Sequence, residues 1–386
     1  MASLLNKLRM LEAEPKKPAP PPKPVPETES FYRSQSVFSL SLFTDRSHAT
    51  ADVAQSLFGC SFPDGFSAED ILFLDTETTG LSGGAGTIAF QIGLGYFAPS
   101  GFVVEQFLMR DYAQEAPMLR ALSTLMKRFS VLCTFNGRTF DVPLLKSRFL
   151  MNRMKEDAFP AVHADVLYPA RRIWKLRLKR CTLGNLEEQL LNVQREDDLP
   201  GALVPQTFFQ YLKDGNFTPL ERILEHNKQD IVSLAQLFYF MCRQAAVPES
   251  IAAGEDLLSL AKAMEKAGNR QKAMHCYRLT AKTSQSAEAY HAMGRMEKRD
   301  GHVESAVRLY QTMLAQGNDP AGACEALAKL YEHQLRDLPS AIGYTRQALL
   351  LLAEPALFRN EAVQERQSAL QYRYARLRRK LSAQSR

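Results

Sequence analysis

Two carboxylates, Asp75 and Glu77, close the apolar run Ile71 to Leu74 in the stretch ILFLDTETTG. Four apolar residues ended by a Gly80 turn predict a short strand buried on both faces, and in a strand residues i and i+2 share a face. Both acids therefore project into one small volume at the end of a buried element. Two unpaired anions about 4 Å apart repel by roughly 1 kcal/mol in water and about 4 kcal/mol near a protein surface. Solvent, a proton or a cation has to relieve that repulsion, and a divalent ion does so best. Two readings stand open for the pair alone, a metal site and a polar strand end whose acids cap local amides. Further acids from elsewhere in the chain decide between them.

Candidates for those acids lie on three later elements. After the apolar strand VLCTF (131–135) comes FNGRTFDVPLL, in which Asn136-Gly137 makes a turn and Asp141 opens a helix to about Met151; Asp141 is also a natural helix N-cap, worth about 1 kcal/mol. Asp165, in HADVLYPARRIWK, is either a further acid or the N-cap of a basic helix. The segment 219–241 is an amphipathic helix carrying His226 and Asp230. Four residues apart, they emerge on one helical face, either as a surface pair or as part of the Asp75 and Glu77 site.

The elements between them set the fold class. IAFQIGLGYF (88–97) and FVVEQFLM (102–109) read as an antiparallel hairpin continuing from the first strand, and a helix from Pro117 to about Phe129 precedes the strand at 131–135. Strand, hairpin, helix, strand is an α/β pattern with a mixed sheet. The glycine-rich LSGGAGT (81–87) lacks nucleotide-loop spacing and leads into a strand. Residues 30–70 show no clear period and read as a lead-in packed on this domain. Ahead of them, residues 1–14 are a short amphipathic pattern and seven prolines within 15–26 make an extended linker. The expected organisation is an N-terminal segment over 1–30, the α/β domain over 31–245 and a helical domain over 250–386.

In that last region two segments align at a 33-residue offset, Ala261 with Gly294, Gly268 with Gly301, Ala273 with Ala306 and Tyr277 with Tyr310. A third supplies Ala328, Ala341 and Ala348. Small residues at helix contacts, a turn glycine and an aromatic four residues after the alanine resemble tetratricopeptide repeats, which implies a surface for a protein partner.

Length and composition, 386 residues at 45% hydrophobic content, allow one large core or two smaller ones. The net charge of +6 is modest, but six of the ten residues 171–180 are basic and none is acidic. Such a local patch suits a polyanionic partner. The six cysteines stand singly, without zinc spacing. With no apolar run long enough to span a bilayer and no signal peptide, the expected location is cytoplasmic.

An acidic pair on the first strand, an Asp opening the helix after a later strand and an Asp on a late helix together resemble the DEDD exonucleases of the ribonuclease H-like fold. The YprB-type branch, in which that domain is joined to helical repeats, is the nearest likeness. DTETTG, FNGRTFDVPLL and HNKQD carry the resemblance over about 71–241, with ARRIWK as a branch-level accent. It implies a 3′ to 5′ exonuclease whose Asp75, Glu77, Asp141 and Asp230 hold two Mg²⁺ or Mn²⁺ ions about 3.5–4 Å apart, with His226 as general base. These families place a histidine five residues, or a tyrosine four residues, before the last acid. Here a histidine stands at the tyrosine spacing, which leaves the identity of the base open. Asn136, Arg171, Arg172, Lys175 and Lys179 would hold nucleic acid, DNA or RNA, while Trp174 either stacks on a base or belongs to the core. A non-catalytic nucleic-acid-binding adaptor and a structure-specific endonuclease are the alternatives.

Overall fold

A computed structural model describes residues 30–80, 86–195, 199–353 and 361–384. The amphipathic pattern at 1–14, the proline-rich stretch at 15–26 and positions 81–85 of the glycine-rich turn lie outside them. The chain divides into two compact units, Met1–Ser250 and Ile251–Arg386.

In the first unit six strands form one mixed sheet: β1 (Tyr32–Phe38), β2 (Ile71–Thr78), β3 (Ala89–Ala98), β4 (Gly101–Leu108), β5 (Val131–Thr134) and β6 (Val162–Asp165), in the spatial order β1-β4-β3-β2-β5-β6. The apolar run at 71–74 takes the central place, with Phe73 opposite Gly95 of antiparallel β3 and opposite Cys133 of parallel β5. β6 continues the parallel half, Thr134 facing Asp165. Because β2 and β5 run the same way, the acids that end β2 and the turn that follows β5 arrive at the same sheet edge.

Helices cover both faces. Leu72 and Leu74 pack into a core with Leu119 and Leu122 of α2 (Glu115–Met126) and Leu144, Leu145 and Phe149 of α3 (Asp141–Met151); α1 (Ala51–Phe58), α4 (Leu167–Leu178) and α5 (Val204–Asp214) are further helices of this unit. On the other face Phe73 meets Phe238 and Tyr239 of the 29-residue α6 (Thr218–Ala246), with ring centroids 6.0 and 6.2 Å away. Among the described residues no helix is long and apolar enough to cross a membrane.

Two expectations need correction. The aperiodic lead-in holds an edge strand, β1, paired with β4 over its whole length. Its inward positions, Tyr32, Ser34, Ser36 and Phe38, mix serines with aromatics, while outward Val37 is 51% exposed, so apolar alternation could not reveal it. Trp174 is fully buried, tilted against Phe240 at 6.1 Å, and its indole N–H donates to Gln244 Oε1 at 3.1 Å. It is core, with no face to offer a base.

The second unit is all helical among its described residues: α7 (Gly254–Lys266), α8 (Arg270–Thr280), α9 (Ser286–Arg299), α10 (Val303–Ala315), α11 (Pro320–His333), α12 (Leu338–Leu351) and α13 (Glu361–Gln384). The 33-residue offset has a backbone counterpart, since Gly268 and Gly301 both turn in the left-handed region at φ 80° and 83°. Gly294 has no room for a side chain, because a Cβ there would overlap the Tyr310 ring. Ala328, Ala341 and Ala348 of the third segment are fully buried.

Trp174→Phe should lower the unfolding free energy by about 1–3 kcal/mol, as Gln244 loses its buried donor, while leaving affinity for a single-stranded oligonucleotide unchanged. Chemical denaturation and a binding titration read the two effects.

Candidate active site

Asp75 and Glu77 extend from the α6-facing side of β2, continuing the line Ile71, Phe73. Gly93, directly opposite Asp75 on β3, decides what reaches them: any Cβ there would overlap the Asn227 amide. With glycine in place, the fully buried Asn227 donates its Nδ2–H to Asp75 Oδ2 at 2.9 Å and accepts from Gln106 Nε2 at 3.0 Å. Gln106 also donates to the Leu224 carbonyl at 2.7 Å, tying the amide pair to the helix backbone.

Asp141, buried at the start of α3, accepts a 2.5 Å bond from the Thr76 hydroxyl. Asp230 and His226 descend from α6. His226 Nε2 lies 3.8 Å from Glu77 Oε1 and 3.4 Å from Asp230 Oδ2, and Glu77, His226 and Asp230 each offer a ligand atom within 4.8 Å of the others. Four carboxylates from three elements thus meet at one sheet edge.

Their electrostatics follow from that crowding. Burial and then repulsion from Asp230, Asp141 and Glu77 push Asp75 well above the usual carboxylate range, against the pull of the Asn227 bond. Burial also raises Glu77 to about 7, opposed by His226 and reinforced by Asp230 and Asp141. Asp141 rises to about 6 through burial, with the Thr76 bond working the other way. Hard, crowded oxygen donors whose charges burden one another are the donor set that suits Mg²⁺ or Mn²⁺.

Arg195 gave no signal in the sequence, since it sits in an acidic, aperiodic loop. Its guanidinium bonds Glu187 at 2.7 Å through both Nε and Nη2, pairs with Asp230 and donates to His226 Nδ1 at 3.1 Å. A guanidinium only donates, so Nδ1 is the accepting nitrogen and a neutral ring carries its proton on Nε2, toward the carboxylates. In this arrangement His226 presents an N–H where a base needs a lone pair.

Asp165 is a backbone clamp. Its Oδ1 accepts from the amides of Asn136 at 2.9 Å and Leu167 at 3.1 Å, and its Oδ2 accepts from Arg138 at 2.9 Å. It holds the turn that carries Asn136, whose φ of 67° explains an Asn-Gly pair there. Asn136, Arg171, Arg172 and Lys175 are exposed, and Arg138 adds to this basic surface, close enough to depress Arg172 after burial has done so. Lys179 is placed otherwise, its ammonium donating to the Leu176 carbonyl at 2.7 Å at the end of α4, where a helix C-terminus attracts a cation.

Comparison with known proteins agrees with the mixed-sheet fold. A model of the RNase_H superfamily matches residues 72–242. An uncharacterized protein of Bacillus subtilis (strain 168), YprB, is 30% identical over 326 residues, covering 83% of this chain and 77% of its own.

A raised acid binds more protons folded than unfolded, so it costs stability as pH rises from its unfolded value through its folded one. For Glu77 that window runs from 4.5 to about 7. In chelator, Glu77→Gln should therefore gain melting temperature relative to wild type as pH rises across this window and hold the gain at pH 8. Thermal melts at several pH values check it.

Proposed function

This chain belongs to the RNase H superfamily, and from that premise we propose that it is a metal-dependent nuclease acting as a 3′ to 5′ exonuclease. The observation that carries the reading is the meeting of Asp75, Glu77, Asp141 and Asp230 at the edge where β2 and β5 end. Two Mg²⁺ or Mn²⁺ ions, when bound, would supply Lewis-acid activation of a water and charge stabilisation at the leaving oxygen.

The chain's own residues do the rest. Asn227 orients Asp75 and Thr76 orients Asp141, so that both carboxylates face the site in fixed rotamers. Arg138, Arg171, Arg172 and Lys175 hold the phosphate backbone through charge, and Asn136 offers a polar contact beside them. His226 acts as proton acceptor once Nδ1–H replaces Nε2–H, a tautomer change that requires Arg195 to leave Nδ1. In the second unit, a groove of about 520 Å³ lined by both basic (Arg295, Lys298, Lys329) and acidic (Asp319, Glu325) residues supports the reading that this unit takes a protein partner.

Asp75→Asn should reduce hydrolysis of end-labelled DNA or RNA by about 10³-fold, the several kcal/mol that metal clamping contributes. Covalently closed circles should resist the wild type, whereas their cleavage would identify an endonuclease. Binding of nucleic acid without any hydrolysis in Mn²⁺ would identify an adaptor.

A further inference from the structure

We propose that Arg195 is a tethered cation that competes with a divalent ion for Asp230 and so weakens metal loading of the carboxylate cup. The inference rests on the metal-site reading above and adds a residue that tunes it.

Arg195 lies outside regular structure, beyond Asn192, whose left-handed backbone (φ 55°) ends the helical turn Glu187–Leu191. Its side chain is only 15% exposed, and that of Glu187, 1% exposed, grips it by two bonds of 2.7 Å. A bidentate grip of this kind fixes the guanidinium in position as well as in charge. The same Nη2 that meets Glu187 Oε1 also meets Asp230 Oδ1, and the other oxygen of Asp230 faces His226 Nε2. Both oxygens of Asp230 are therefore turned to nitrogen donors. Burial works against the Arg195 charge, but Asp230 and Glu187 more than offset it and hold the group charged.

A divalent ion at Asp230 has either to displace the guanidinium or to sit beside a fixed positive charge. Either costs binding free energy. Glu187 is outside the set of converging acids and its role is to anchor the competitor. A purely structural tie between the 187–195 segment and α6 makes the opposite prediction, because loosening the tie would disorder Asp230 and weaken metal binding.

Calorimetric titration of Mn²⁺ into the full chain separates the two. Arg195→Gln should bind Mn²⁺ about tenfold more tightly or better, within the usual range of coupling between sites, and Arg195→Lys should stay near wild type because it keeps the charge. Arg195→Gln leaves Glu187 buried and unpaired, which threatens folding. The double variant Glu187→Gln/Arg195→Gln removes both partners and should show the same tightening. In melts, the double variant should gain more melting temperature from saturating Mn²⁺ than wild type does. Unchanged or weaker Mn²⁺ binding by a double variant that melts cooperatively would overturn the proposal. If wild type binds Mn²⁺, Asp75→Asn does not and the Arg195 variants are no tighter, only this inference falls; if wild type binds none, it falls together with the metal-site reading.

Discussion

Like charge gathered in a confined space is the constraint on which the first unit depends. Asp75, Glu77 and Asp141 are each held where burial and neighbouring anions disfavour ionisation, and Asp230 adds a fourth carboxylate beside them. A fold optimised for stability alone would spread them apart, since surface carboxylates cost nothing of the kind. The neighbours of the cup are all partial remedies: an amide on Asp75, a hydroxyl on Asp141, an imidazole between Glu77 and Asp230, and a guanidinium on Asp230. None of them removes the repulsion, and on the proposed reading a divalent cation would relieve it further.

Topology makes the crowding possible. The switch from antiparallel β3 to parallel β5 on either side of β2 brings the end of β2 beside the start of α3. The glycines at 93 and 95 leave the sheet bare under α6, so that Asn227 and Ile231 sink into space that side chains would otherwise fill. A short separation between helix and sheet then delivers Asp230 to the carboxylates of β2. The basic surface around Arg138, Arg171, Arg172 and Lys175 begins on the turn that Asp165 clamps, so the basic surface and the four acids are fixed by adjacent strands.

Much of this was legible in the chain. The strands with continuous apolar runs, the hairpin, the helix opened by Asp141 and the long helix of His226 and Asp230 all carry strong periodic signals, because each is buried on a consistent face. β1 was not legible, since its inward residues include serines and its fit depends on β4 rather than on its own pattern. The acids could be singled out because the strand and the two helices that carry them were themselves legible. Trp174 shows the converse, for an aromatic in a basic run looks the same whether it faces a base or the core. Arg195, Glu187 and Asn227 were invisible for a further reason: their meaning lies in partners far along the chain, and neither a loop arginine nor a helix asparagine has a spacing that reveals it.

The most direct test counts protons. Mn²⁺ binding measured at pH 7 in buffers of different ionisation enthalpy gives the number released as the cup fills, because ligands must shed protons to coordinate. With Asp75 raised and Glu77 near 7, binding should release on the order of one proton, and Asp75→Asn should abolish the binding. Binding without proton release would mean that the carboxylates are already ionised and do not burden one another, and the account of the site would be wrong.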